Sequence, residues 1–232
     1  MGFGTPHRHY TRTDSTNTRA RELAAAGAPH GTVVTAAEQT EGRGRQGRAW
    51  TAPPGKALLY SALVRPLDPA DALLPLAVPL AVCEAAEELQ PGVECGVKWP
   101  NDVQVGGRKL AGVLIEARPQ DGWAVVGVGL NLAIAAEEFP PELRETATSL
   151  TAARIEDAAV ELSHNLEHWL DADQQTVLDA WRERDVLRGQ KIAWEGGSGV
   201  ASGIDDRGYL VVVVPGGERV VLGAGEVHLS RV

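Results

Sequence analysis

The spacing of apolar residues changes character near residue 185. Before that point, helix-like and strand-like stretches alternate; beyond it only short strands recur. Residues 18–27 carry Ala20, Leu23 and Ala24 at helical spacing and close on Gly27, which predicts a helix. Strands are expected over 31–37 and 57–64. An Ala- and Leu-rich segment over 71–89 predicts a largely buried helix interrupted by Pro75 and Pro79. Outside the first turn a proline removes an internal hydrogen bond, so the regular helix is expected to begin near Pro79. The stretch 97–103 leads through Val105-Gly106-Gly107-Arg108 into an apolar run over 109–117, and Pro119-Gln120-Asp121-Gly122 turns the chain into another over 123–131. Strands joined by such short turns predict an antiparallel or mixed sheet. Helices follow over 156–171, with Ala159, Leu162, Leu166 and Trp169 near helical spacing, and over 174–184, with Val177, Leu178 and Trp181. Short strands at 191–195, 199–204, 209–214, 219–222 and about 227–229, punctuated by Gly196-Gly197, Asp206-Arg207-Gly208 and Gly216-Gly217, predict a small all-β barrel. The expected division is an α+β unit over 1–184 and the barrel over 185–232.

One connection is too long for this scheme. Between the first two predicted strands lies Glu38-Gln39-Thr40-Glu41-Gly42-Arg43-Gly44-Arg45-Gln46-Gly47-Arg48-Ala49-Trp50, where unstructured chain beyond about 12–15 residues suggests a lid or binding loop. Three glycines alternate there with three arginines, although the formal net charge of the 232 residues is −9. Glycine lets backbone N–H groups approach a ligand and arginine offers a planar fork, so the loop suits an anion. Gly42, Gly44 and Gly47 meet the G-x-G-x-x-G spacing of a dinucleotide fingerprint, but Thr51-Ala52-Pro53-Pro54-Gly55 blocks the helix such a turn requires. The acidic balance also argues against a general nucleic-acid binder. Cys83 and Cys95 are too few for a disulfide framework or a cysteine-built zinc site and read as buried small hydrophobes. No window approaches the roughly 18 apolar residues of a membrane span and no signal-peptide core precedes the first motif, so a cytoplasmic protein is expected.

The chemistry on offer is recognition rather than nucleophilic attack. Asp14-Ser15-Thr16-Asn17 stands where a helix N-cap is needed; a cap uses one side chain, leaving the other hydroxyl and amide groups for a ligand. Lys98 and Lys109 flank a hairpin in a chain whose only other lysines are Lys56 and Lys191, which sets a functional role beside ordinary surface charge. Gly112, Gly127 and Gly129 mark places of close approach, and Asn101, Asp102 and Asn131 are polar near them. His164 and His168 have i, i+4 spacing but lack a metalloprotease pattern and read as a solvated face. No G-x-S-x-G elbow occurs. Arginines on a loop with lysines on strands suit phosphoryl or nucleotidyl transfer, where positioning and charge neutralisation supply most of the catalysis.

These segments, in this order, resemble those of a biotin protein ligase (biotin–acetyl-CoA-carboxylase ligase): Asp14-Ser15-Thr16-Asn17, Gly42-Arg43-Gly44-Arg45-Gln46-Gly47-Arg48-Ala49-Trp50, Lys98-Trp99-Pro100-Asn101-Asp102, Lys109-Leu110-Ala111-Gly112-Val113-Leu114-Ile115-Glu116 and Gly127-Val128-Gly129-Leu130-Asn131. Ala147-Thr148-Ser149-Leu150 and Trp181 also fit. The resemblance implies an α+β, biotin/lipoate ligase-like catalytic domain with a mixed sheet, followed by an SH3-like all-β barrel. It implies that biotin's carboxylate attacks the α-phosphate of Mg-ATP, giving biotinyl-5′-AMP and pyrophosphate, and that a lysine of a biotin carboxyl carrier protein then takes the biotinyl group. By the family pattern Ser15, Thr16, Asn17 and Gln39 would line the biotin head, with Gly112 and Gly127 allowing close packing. Arg43, Gly44 and Arg45 would close over the ligand. Arg45, Lys109 and Lys98 would be catalytic, Lys109 contacting the carbonyl and phosphate region. Arg48, Trp50, Asn101 and Asn131 would meet ATP or the adenylate, and Asp102 would meet its Mg2+. A homodimer is implied as well. Because the first motif begins at Asp14, the chain is expected to lack the N-terminal DNA-binding module of some members and to bind no DNA. The lid over 42–48 is expected to be mobile until the adenylate forms. Lipoate or octanoate transfer on a related core is the nearest alternative, and a non-catalytic RNA-binding module using Arg43, Arg45 and Arg48 is a remote one.

Overall fold

A computed structural model describes residues 2–67, 73–151, 153–223, 225 and 227–229. A seven-stranded mixed sheet has the order β1 (His7–Tyr10), β2 (Val33–Ala36), β3 (Ala57–Val64), β7 (Trp123–Asn131), β6 (Arg108–Arg118), β5 (Asp102–Val105) and β4 (Gly96–Lys98). Every neighbouring pair is antiparallel except β1 with β2. Strand alternation sorts the side chains onto two faces. Leu58, Tyr60, Ala62 and Val64 of β3 and Ala124, Val126, Val128 and Leu130 of β7 pack against the helices α2 (Leu74–Leu89), α3 (Ile155–Asp171) and α4 (Gln174–Glu183). Leu63 and Val125 turn the other way, onto Ala20 and Ala24 of α1 (Thr16–Ala25). No helix among the described residues is long and apolar enough to cross a membrane.

The five remaining strands, β8 (Lys191–Trp194), β9 (Gly197–Ile204), β10 (Leu210–Val213), β11 (Arg219–Leu222) and β12 (Val227–Leu229), form a second, antiparallel sheet in the order β11-β10-β9-β8-β12. Its Ile192, Ala201, Leu210, Val212 and Val227 belong to the same apolar core as Trp181, Leu58 and Val97. The chain crosses between the sheets on backbone hydrogen bonds: Val97 N–H donates to the Arg184 carbonyl at 2.7 Å and Val186 N–H to the Val97 carbonyl at 3.1 Å. Trp99 Nε1 donates to the Gly208 carbonyl at 3.1 Å. The terminal sheet is thus fastened to the strand-turn-strand unit that carries Lys98, Asn101 and Asp102. Cys83 and Cys95 are free and buried, as expected.

Two expectations need correction. The helix does not wait for Pro79: α2 is regular from Leu74, with Pro75 in its first turn and Pro79 inside. In the first turn no N–H needs an intrahelical partner, and Pro79 forfeits a single bond on a helix whose apolar face is fully covered, so packing outweighs it. The predicted start at residues 71 and 72 lies outside the described residues. Strand β1 went unforeseen because His7-Arg8-His9-Tyr10 has no apolar alternation; it is mostly exposed and is held by β2 on one side. His7 Nε2 and His9 Nδ1 both reach the buried Thr35 Oγ1, at 2.8 and 3.0 Å.

At the junction, Arg184 forms a two-pronged ion pair with Glu87, at 2.6 and 2.9 Å. Burial alone would raise the Glu87 carboxyl, but Arg184 and the Cys95 N–H hold it below its ordinary value. Its stabilisation is therefore present above the ordinary carboxylate range and lost as pH falls through the lowered folded value. Arg184→Ala is expected to cost about 1–2 kcal/mol at pH 7, with the difference from wild type closing below about pH 4, measured by urea unfolding across pH.

Candidate functional site

The site is built on the sheet face that carries α1, and two rows of paired residues make its floor. Ser61 of β3 pairs with Gly127 of β7, which pairs with Leu114 of β6. In the next row Leu59, Gly129, Gly112 and Asp102 follow one another across β3, β7, β6 and β5. The glycines in these rows provide room. A Cβ on Gly127 would lie 2.2 Å from Asn17 Oδ1, and one on Gly129 would lie 2.3 Å from Trp50 Cε2. On Gly112 it would sit 3.1 Å from the Trp50 ring and 3.2 Å from Lys109 Cε.

Over Gly127 stands a polar cluster. Ser15, Thr16 and Asn17 are buried at the start of α1, and Ser15 occupies the N-cap position without a side-chain capping bond. Capping is therefore not what these residues do. Thr16 donates its backbone N–H and its hydroxyl to Gln39 Oε1, at 2.7 and 2.9 Å. Ser61 Oγ lies 2.6 Å from Asn17 Oδ1 and 2.8 Å from Thr16 Oγ1. Asn17 Nδ2 donates to Glu116 Oε2 at 2.8 Å. Asp14 faces Arg19 instead; burial opposes its ionisation, but hydrogen bonds from Arg19, the Ser15 N–H and Thr13 bring its carboxyl down to about 2.

The glycine-arginine stretch is a tight hairpin in this structure. Gly44 N–H donates to the Arg48 carbonyl at 2.7 Å, Trp50 N–H to the Gly42 carbonyl at 2.9 Å, and a bridge pairs Arg43 with Ala49. The tip, Arg45–Gly47, places Gln46 at φ 54° and Gly47 at φ 75°. A Cβ on Gly42 would strike the Trp50 carbonyl at 2.3 Å, so glycine there is needed for the two limbs to approach. The hairpin lines an open cavity of about 570 Å³ with Leu114 and Glu116.

Beneath the second limb the cations gather. Trp50 lies across Gly129 and Gly112, with Lys109 Nζ 5.8 Å from its ring centre. Lys109 Nζ is 2.6 Å from Asp102 Oδ1. Lys98 is pushed down from its ordinary pKa by burial, with Asp102 opposing and Lys109 and Arg48 adding to the fall. Arg45 donates to Asn101 Oδ1 at 3.3 Å and to the Gly225 carbonyl at 3.4 Å, so it meets both the β4–β5 turn and the terminal sheet's last loop. Arg43 goes elsewhere, to Glu116 and Thr18.

The structure thus brings Ser15, Thr16, Asn17, Gln39 and Gly127 together at one end, and Arg45, Lys98, Asn101, Asp102, Lys109, Gly112 and Trp50 at the other, with Gly44 in the hairpin and Arg48 near Lys98. Asn131 is placed for support: its Nδ2 donates to the Thr148 carbonyl at 2.9 Å. That bond joins Ala147-Thr148-Ser149-Leu150 to the sheet, where Lys109 N–H donates to the Thr146 carbonyl at 2.7 Å and Thr148 N–H to the Lys109 carbonyl at 2.8 Å. Asp102 is paired with Lys109, and among the described residues no three His, Cys, Asp or Glu side chains gather to hold a metal. His164 and His168 line a separate 370 Å³ surface cavity with Glu167, Asp171 and Ala172 on and just past α3. Sequence reasoning missed Ser61 and Glu116. A lone serine within Leu58-Leu59-Tyr60-Ser61-Ala62-Leu63 was the available signal for the first, because a buried polar side chain needs partners.

Residues 10–132 match the biotin/lipoate A/B protein ligase family, and residues 186–230 match the biotin protein ligase C-terminal domain. The chain is 40% identical to the biotin–[acetyl-CoA-carboxylase] ligase of Mycobacterium tuberculosis, over 94% of this chain and 87% of that protein. It is 33% identical to the Paracoccus denitrificans ligase of the same name, over 90% of this chain and 95% of that one. The structure of the Aquifex aeolicus biotin protein ligase in complex with biotin and ATP superposes with a TM-score of 0.80 at 28% identity, covering 97% of this chain and 99% of that one.

Gly129→Ala is expected to drive the Trp50 ring off the floor at a cost of about 1–3 kcal/mol. Acrylamide quenching, compared with Trp50→Phe in the same backgrounds, should show a more accessible Trp50; unchanged quenching would mean that the ring does not rest on Gly129.

Proposed function

The chain belongs to the biotin/lipoate A/B protein ligase family, within it to the biotin protein ligases, and on that premise we propose that it activates biotin with ATP and biotinylates a carrier protein. The observation that carries this reading is a polar pocket over Gly127 and a cationic cluster of Arg45, Arg48, Lys98 and Lys109 under one hairpin. The hydroxyl and amide groups of Thr16, Asn17, Gln39 and Ser61 suit the polar head of biotin, with Ser15 buried beside them. The cations suit the meeting of its carboxylate with the triphosphate.

In the first step a carboxylate oxygen attacks the α-phosphorus and pyrophosphate leaves with the bonding electrons. Two anions have to be brought into contact, and Lys109, Lys98 and Arg45 lower that repulsion while charge builds on the phosphoryl oxygens. Asp102 keeps Lys109 aimed along the floor. Mg2+ would arrive with the triphosphate, and Asp102 is the carboxylate within this cationic group that could meet it. In the second step the uncharged amine of a carrier lysine attacks the acyl carbon, AMP leaves, and the amine sheds its proton. Between the steps the hairpin, with Arg43, Gly44 and Arg45, excludes water from the mixed anhydride. Trp50, Asn101 and Asn131 belong to the nucleotide end in this proposal, Asn131 through its hold on the segment behind Lys109. The acceptor is proposed to be a biotin carboxyl carrier protein. A homodimer and a cytoplasmic location complete the reading, and sedimentation measures the first.

Pyrophosphate exchange into ATP should depend on biotin and not on lipoate or octanoate; exchange with lipoate alone would replace biotin as the substrate. Lys109→Ala should slow single-turnover adenylation by about 10²–10³-fold with little loss of thermal stability, and an unchanged rate would remove Lys109 from the step. Arg45→Ala should keep the fold and raise adenylate release by about ten-fold or more, read by chasing preformed biotinyl-AMP; undiminished retention would refute its assigned role.

A further inference from the structure

We propose that Glu116 is a positioning residue that fastens the hairpin to the acyl end of the site, so that the lid's first limb and the Asn17 amide are set by one carboxylate. The proposal rests on the reading above that the pocket holds an acyl-adenylate.

Four donors converge on this side chain. Oε1 accepts from Arg21 Nη1 at 3.1 Å and Arg43 Nη1 at 3.4 Å, while Oε2 accepts from Asn17 Nδ2 at 2.8 Å and Arg43 Nη2 at 3.2 Å. They come from α1 and from the first limb of the hairpin, and Glu116 itself stands on β6, so three separate elements meet at one group. A carboxylate has about four lone-pair directions, and all are used. An amide in its place would turn two of its own protons toward these donors.

Glu116 lies seven residues along β6 from Lys109, on the order of 20 Å in an extended strand, so it does not touch the reacting atoms. Its influence runs through two neighbours. Because a carboxylate only accepts, Glu116 at 2.8 Å, helped by the Leu114 carbonyl at 3.4 Å, fixes which end of the Asn17 amide carries the donor, and Asn17 Oδ1 is then presented to Ser61 and Gly127. Arg43 is held down although its Nε is buried without a partner, which is tolerable only while its two terminal nitrogens are well bound. Without Glu116, Arg43 gains more in water than it keeps in the site. An ordinary surface ion pair would contribute little and would leave ligand retention alone.

The test uses the full chain with Glu116→Gln and Glu116→Asp, checking first that each has a cooperative thermal transition. In ligand-free protein, amide hydrogen exchange over residues 42–50 should quicken by about ten-fold in Glu116→Gln and less in Glu116→Asp. In biotin-dependent ATP–pyrophosphate exchange, Glu116→Gln should raise the biotin KM and the biotinyl-AMP release rate by about ten-fold each, while the ATP KM and kcat at saturating biotin change less than about two-fold. Wild-type hydrogen exchange in Glu116→Gln, or a fall in kcat with biotin KM and adenylate release unchanged, overturns the proposal. Absence of biotin-dependent exchange in the wild type would sink the proposed function instead, and the ligand-free exchange of 42–50 would still decide the role of Glu116.

Discussion

The antiparallel register of β3, β7 and β6 is the constraint on which the rest depends. It sets Ser61 against Gly127 and Leu114, and Leu59 against Gly129 and Gly112, so that absent side chains coincide in space. A slip of one residue would turn every side chain to the opposite face, sending Val126 and Val128 into the site and the glycines into the core. The apolar positions of β3 and β7, packed on α2 and α3, forbid that slip. Core burial on one face therefore determines the shape of the recess on the other.

On this floor the charges are arranged in two groups. At one end Glu116 collects Arg21 and Arg43; at the other Asp102 stands with Lys109, near Lys98. Each carboxylate neutralises cations that an acidic chain has concentrated in a small volume, and each orients the groups it binds. Among the described residues Arg45 is bound there only by the neutral oxygens of Asn101 and Gly225, and Lys98 shares Asp102 with Lys109, so this end of the floor keeps the positive charge that the proposed reading assigns to an anionic ligand. The terminal sheet takes part, since the Gly225 carbonyl receives Arg45 and the Gly208 carbonyl receives Trp99 next to Lys98.

Much of this was legible in the residues alone. The helix closing at Gly27, the long strands β3, β6 and β7, the helices before residue 185 and the strand-rich terminus all follow from periodicity and turn chemistry. The failures have identifiable causes. Strand β1 owes its existence to backbone bonds with β2 rather than to an apolar pattern. Pro79 is carried within α2 by packing that no local rule records. Asp14-Ser15-Thr16-Asn17 reads locally as a cap, and only the proximity of Gln39, Ser61 and Glu116, far away in the chain, draws the side chains of Thr16 and Asn17 elsewhere.

By itself the sequence determined which residue types were available and in what local setting: arginines on a stretch that glycine allows to fold back, lysines beside a hairpin turn, and glycines in strands otherwise crowded with valine and leucine. Local chemistry is encoded locally, because propensity, periodicity and charge act over a few residues. The tertiary structure decided which of these meet. It put Arg43 and Arg45 of one hairpin at different carboxylate and amide partners, made Glu116 a junction, and assigned Asn131 to support. Those outcomes depend on distances between residues as much as 180 positions apart, which no nearby stretch of chain specifies.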